Sequence, residues 1–200
     1  MQKYLYLTEF KWIEPWINGG NIPVFLANKY KSQERSGIFT PDEGVERELQ
    51  NIEYDLFKQL RIVNLEGVGK LRIDNLDIPN MGLNRKNINY EQIQENGYVL
   101  SFCNTFDKNI GKRLGKKACI EIYDVIELFN IISGQLGIIG ESKNCEYTTH
   151  INRNSFLKSK EDAWQDEYRL YWKIDSKTNF EKKKEVCIPP NTAKFISNIE

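Results

Sequence analysis

Apolar and polar positions along this chain follow two periods, and most segments declare one of them. Tyr4-Leu5-Tyr6-Leu7, Asn21 to Ala27, Gly97 to Cys103 and Ala118 to Tyr123 are short apolar runs bounded by turn-forming residues, which predicts buried strands. Tyr168 to Ile174 alternates aromatic and polar residues, as a strand at the edge of a core does. Cys145 to Thr149 and Glu185 to Ile188 predict two more strands, the second broken by Pro189-Pro190.

Helical spacing appears in four places. Thr8 is expected to cap a short helix carrying Phe10, Trp12, Ile13, Trp16 and Ile17, with Asn18-Gly19-Gly20 as its stop. Thr40-Pro41-Asp42-Glu43 has the form of a capping box with proline at the first helical position, and Val45, Leu49, Ile52, Leu56 and Leu60 follow at helical spacing. Asp124 with Glu127 predicts a helix through Ile126, Leu128, Phe129 and Ile132 to about Leu136. Thr192 to Ile199 predicts a short closing helix.

Residues 61–97 are the least regular part. Arg61 to Leu65 and Lys70 to Ile73 predict short strands, and the Asn-rich stretch from Asn75 to Asn89 predicts a long loop. The chain is expected to form one domain over residues 1–200, with a loop-rich insertion around 61–97. Strands and helices mix without regular βαβ alternation, so the fold class expected is α+β, with a mixed, mainly antiparallel sheet and flanking helices.

Composition narrows the chemistry. Lys+Arg and Asp+Glu both total 28, so the overall charge asks for neither nucleic acid nor an anionic membrane. The four cysteines are scattered without a Cys-x-x-Cys pair and His150 is the only histidine, which argues against a Cys/His zinc centre and leaves no metal site expected. No run is long and apolar enough for a membrane span and no signal-like start is seen, so a soluble cytoplasmic protein is expected. A P-loop is absent. Gly134, Gly137 and Gly140 follow a helix rather than opening one, the wrong setting for dinucleotide binding of the Rossmann kind. A lone histidine between Thr149 and Ile151 reads as a polar surface residue, Asp74 and Asp77 as loop carboxylates. Lys112-Arg113 and Lys116-Lys117 form a basic cluster that suits either a phosphate contact or a solvated turn.

The run Trp164-Gln165-Asp166-Glu167-Tyr168-Arg169 is the most specific feature. It places Glu167 where a polar turn becomes a strand, with Gln165 beside it. Period two puts Arg169 on the same strand face as Glu167. A carboxylate there suits sugar hydroxyls or a developing positive charge. An edge strand with Glu167 and Arg169 facing solvent is the plainer alternative.

Taken in order, the Tyr-Leu-Tyr strand, the short helix ending in glycine, the strand with Ser101-Phe102-Cys103 and the Gln165-x-Glu167 turn resemble the ADP-ribosyltransferase superfamily. A closer similarity is to a bacterial family of unknown function, carried by Phe102-Cys103, by Ala118 to Tyr123 after a Gly-Lys turn, and by the Lys160 to Arg169 run. That resemblance implies an ADP-ribosyltransferase-like fold with NAD as substrate. In the implied site Glu167 is the catalytic carboxylate and Gln165 orients the acceptor. Tyr6, Thr8, Tyr98, Ser101, Phe102 and Arg169 contact the cofactor, with Tyr98 or Phe102 against the nicotinamide. The first strand carries neither Arg nor His, so Tyr6 or Thr8 takes the role those residues have in the superfamily, and Gln165 stands where the closer family has Glu. The implied function is that of an NAD-dependent ADP-ribosyltransferase-like protein, a toxin or phage-defence effector, acting on a protein or nucleic-acid acceptor. The rival readings are a non-catalytic nucleotide- or protein-binding module on the same fold and, more distantly, a nucleic-acid processing enzyme using loop carboxylates.

Overall fold

A computed structural model describes residues 1–27, 96–149, 154–174 and 180–199 in full, and residues 45–50, 69–78 and 83–94 as backbone strands. The protein is α+β with a mainly antiparallel sheet and few helices. β1 (Lys3–Leu7) leads through a 3-10 turn at Phe10–Trp12 and the short helix α1 (Glu14–Asn18) to β2 (Gly20–Leu26). β3 (Val45–Gln50), β4 (Gly69–Ile78) and β5 (Leu83–Gln94) form a separate antiparallel sheet in the order β3-β5-β4.

The chain then returns to the main sheet with β6 (Gly97–Cys103), helix α2 (Lys108–Arg113), β7 (Ala118–Ile122) and helix α3 (Val125–Leu136). β8 (Glu141–Asn144), β9 (Glu146–Thr148) and β10 (Leu157–Ser159) follow. A 3-10 segment at Lys160–Gln165 feeds β11 (Glu167–Lys173), and β12 (Lys183–Ile188) and β13 (Ala193–Asn198) close the chain. Among the described residues the main sheet has eight strands. Six run in the order β12-β2-β6-β1-β7-β13, while β11 pairs with β6 and β8 with β11.

α3 covers one face of this sheet. Asp124 caps it through bonds to the Ile126 and Glu127 amides, and Gly137 ends it at φ 65°. Its buried Val125, Leu128 and Ile132 pack on Tyr98, Phe102, Leu170 and Trp172. Trp172 is fully buried, stacks on Phe129 at 5.5 Å and donates its indole N–H to Ser133 Oγ at 2.8 Å. The paired polar tip removes the desolvation cost that an indole N–H would otherwise carry in a core.

Several local expectations give way to pairing partners. Residues 45–50 form β3 rather than a helix, because each finds a partner on β5, from Val45↔Gln94 to Gln50↔Asn89. Val45 and Leu49 satisfy either period, so sequence spacing alone cannot choose between them. The expected cap at Thr40 to Glu43, the remainder of that helix to Leu60, the strand at Arg61 to Leu65 and His150 lie outside the described residues. The Asn75 to Asn89 stretch is strand on both sides of residues 79–82, with Asn75↔Lys86 and Asp77↔Asn84 in register. Thr192 to Ile199 is not a helix either, since β13 adds to the edge of β7 with a bulge between Phe195 and Ser197. Thr8 caps nothing; Glu9 precedes the 3-10 turn without a side-chain cap bond. The Lys112-Arg113 pair ends α2, whose cap is Asp107 through the Asn109 amide.

Candidate functional site

β6 is the axis of the site. β11 pairs with it along its whole length, from Glu167↔Cys103 to Lys173↔Gly97. Its other edge is shared: β2 takes Tyr98 and Val99, and β1 takes Cys103 alone. Leu100, Ser101 and Phe102 therefore have no partner in β1 or β2, and the two strands diverge there. A cleft of about 630 Å³ opens at this fork. Trp12, Pro15 and Trp16 from the β1–β2 connection and Pro23 and Phe25 from β2 give it apolar walls.

Strand alternation decides which expected residues share the cleft face. Ser101 and Arg169 are direct register partners and Glu167 opposes Cys103, so Ser101, Glu167 and Arg169 lie together on the sheet face away from α3. Tyr6, Thr8 and Gln165 line the same cleft. Tyr98 and the Phe102 ring are placed differently. Both belong to the core under α3, and the Tyr98 hydroxyl donates to Glu181 O at 2.8 Å. On a strand where Ser101 faces the cleft, its neighbours at odd offsets point the other way, so Tyr98 does not line the cleft, whereas Phe102 lines it while its ring packs in the core.

Glu167 is the centre of a buried ionic network rather than a solvent-facing edge residue. Arg169 donates to Glu167 Oε1 through Nε at 2.7 Å and Nη2 at 2.5 Å. Its Nη1 donates to Ser155 O at 2.6 Å. Lys158, on β10, donates its ammonium to Glu167 Oε2 at 2.5 Å and to Gln165 Oε1 at 2.6 Å. Lys158, Gln165, Glu167 and Arg169 are each at most 6% exposed. Burial pushes the Glu167 carboxyl up. Arg169, Lys158 and hydrogen bonds from Lys158 and Ser101 outweigh it and hold the group well below the usual carboxylate range, at about 2.

The turn that presents Glu167 is itself anchored. Asp166 takes the left-handed conformation, φ 43°, and reverses the chain between the 3-10 segment and β11. Its carboxylate accepts from Asn104 Nδ2 at 2.9 Å and Thr105 Oγ1 at 3.2 Å, and its carbonyl accepts from the Asn104 amide at 2.8 Å. Lys3 Nζ reaches Asn104 Oδ1 at 2.6 Å. The Tyr147 hydroxyl accepts the Glu167 N–H at 2.9 Å. Trp164 packs beside Tyr6 and Cys103, with the Arg113 guanidinium 3.9 Å over its ring.

This arrangement limits what Glu167 can do chemically. A carboxylate has about four lone-pair positions. Arg169 fills two, both on Oε1, and Lys158 fills one on Oε2. A ribose hydroxyl donating to Glu167 would find one position left, on Oε2 beside the Lys158 ammonium. Tyr6 is committed as well, since its hydroxyl donates to Asp107 O and accepts the Asp107 N–H, both at 2.8 Å. Thr8 stands exposed at the mouth. Among the described residues no group of three or more His, Cys, Asp or Glu side chains gathers to hold a metal, and no helix is long and apolar enough to cross a membrane.

Sequence reading missed Lys158, Ser155 and Asp166. The available signal for Lys158 was a single cation inside the run Ser155-Phe156-Leu157-Lys158-Ser159, where a buried lysine needs a carboxylate partner. No protein-family model, curated protein or solved structure matches this chain.

Proposed function

We propose that the cleft at the β1–β2 fork binds NAD or a nucleotide of that class, on an ADP-ribosyltransferase-like domain, and that it binds without catalysing transfer. The observation that carries the reading is convergence: Tyr6, Thr8, Ser101, Gln165, Glu167 and Arg169, drawn from both ends and the middle of the chain, line one cleft. Its volume of about 630 Å³ falls within the ~300–1,000 Å³ range of small-molecule sites. Trp12, Trp16 and Phe25 supply flat apolar surface for a base or nicotinamide ring, and the ionic floor supplies fixed polar contacts.

The doubly ion-paired carboxylate favours binding over turnover. Stabilising an oxocarbenium ion requires a negative charge whose field is not already spent on fixed cations. Glu167 faces two of them at hydrogen-bond distance. A role as toxin or defence effector with a protein or nucleic-acid acceptor depends on transfer, and so turns on the same measurement.

Isothermal titration of NAD into the purified protein, with nicotinamide release followed by chromatography, tests both halves. Saturable binding with no nicotinamide released above a protein-free control is the expected result. Release that is abolished in Glu167→Gln, with that variant still folded, would establish catalysis and overturn the binding-only reading. Absence of any binding would overturn the nucleotide reading altogether.

A further inference from the structure

Three lysines line the cleft: Lys116, Lys158 and Lys183. Lys158 is engaged by Glu167, and Lys183 pairs with Glu185 at 2.5 Å on the rim. Lys116 differs from both. It follows α2 in the tight turn that contains Gly115, and its neighbour Lys117 fixes the turn to the end of β1 by donating its backbone N–H to Leu7 O at 2.9 Å. The nearby carboxylate of Glu9 is taken by Lys117 at 3.1 Å. Among the described residues no acceptor and no carboxylate engages the Lys116 side chain. The residue is nevertheless half-buried. Burial pulls its ammonium below the ordinary lysine range with no opposing charge.

A cation withdrawn from water into a ligand-sized cleft without a counter-charge is a standing cost unless an anion occupies the site with it. The other basic residues of the same turn do not share that position. Arg113 lies over Trp164, and Lys112 is exposed to solvent. Thr8 and Leu114 also line the cleft, and the Lys117 N–H donates to the carbonyl of Leu7, the residue before Thr8, so the backbone at Thr8 runs beside this turn.

We propose that Lys116, with Thr8 beside it, forms the anion subsite of the cleft and takes the phosphate or pyrophosphate group of the bound ligand. This rests on the nucleotide reading for the identity of the ligand, while the anion contact itself follows from Lys116 alone. It divides the cleft by chemistry. The phosphate lies at the end bounded by α2, and the apolar rings lie along Trp12, Trp16 and Phe25.

The experiment titrates three probes, NAD, adenosine and inorganic pyrophosphate, into the wild type and into Lys116→Gln, Lys116→Met and Lys116→Arg. Melting curves confirm that each variant is folded. Loss of a charged hydrogen bond predicts NAD affinity about tenfold to a hundredfold weaker in the Gln and Met variants. Adenosine affinity should stay unchanged, and the Arg variant should keep most of the NAD affinity. NAD binding equally well to wild type and Lys116→Gln would overturn the subsite while leaving the nucleotide reading intact. Pyrophosphate bound in a Lys116-dependent way without NAD binding would keep the subsite and discard the nucleotide reading. Failure of both NAD and pyrophosphate to bind the wild type would overturn both.

Discussion

Replacing Glu167 by Ala separates a structural carboxylate from a catalytic one. In the native protein this anion faces the ammonium of Lys158 at 2.5 Å and the guanidinium of Arg169 at 2.5 Å, and all three groups are withdrawn from water. The substitution leaves two buried cations facing each other without it. Breaking a buried pair by removing one partner typically costs about 3–5 kcal/mol. For a domain of this size each kcal/mol moves the melting temperature by roughly 2–4 °C, so Glu167→Ala should lower Tm by about 6–20 °C. A carboxylate kept for catalysis at the expense of stability behaves in the opposite way, and its removal leaves Tm unchanged or raises it. The assay is calorimetric or circular-dichroism melting near neutral pH, where Glu167 is ionised. The combined replacement Lys158→Met, Glu167→Leu, Arg169→Met should recover most of the loss, because it removes the two cations together with the carboxylate that they face. A fall in Tm of less than about 3 °C for Glu167→Ala would refute the reasoning.

The same network sets a pH signature. The Glu167 carboxyl is depressed from 4.5 to about 2, so its stabilising contribution is complete above pH 4.5 and is lost as pH falls toward 2. Tm of the wild type should drop more steeply across that window than Tm of Glu167→Gln, and parallel curves would contradict the pairing. Gly97→Ala should destabilise the protein by about 1–3 kcal/mol, read as a lowered urea midpoint, through overpacking. A Cβ there would lie 2.5 Å from Trp172 O and 2.6 Å from Tyr171 Cζ. Cys187 is exposed, whereas Cys103, Cys119 and Cys145 are buried, and burial pushes the thiols of Cys103 and Cys119 up to about 12. An aromatic disulfide reagent should therefore titrate one thiol quickly in the native protein and four after denaturation.

The sequence by itself determined the elements whose signals are local. The Asp124 cap, the apolar spacing after it and Gly137 specify α3 without reference to anything else in the chain. The apolar runs of β1, β2, β6 and β7 specify strands, and period two places Glu167 and Arg169 on one face. Tertiary structure decided what those signals leave open. Val45 and Leu49, like the residues of β13, satisfy a helix and a strand equally, and the partner strand supplies the hydrogen bonds that choose. Which face of β6 meets α3 is invisible in the alternation itself, so Tyr98 and Phe102 were expected beside the ligand, and Tyr98 is found in the core away from the cleft while Phe102 lines the cleft and belongs to the core as well. The state of Glu167 belongs to the same class. A carboxylate at a turn-to-strand junction reads as an exposed acid or a reactive one. Only the arrival of Lys158 from β10 and Arg169 from β11 makes it a buried anion held between two cations, because charge state in a protein interior depends on distances that the order of residues does not contain.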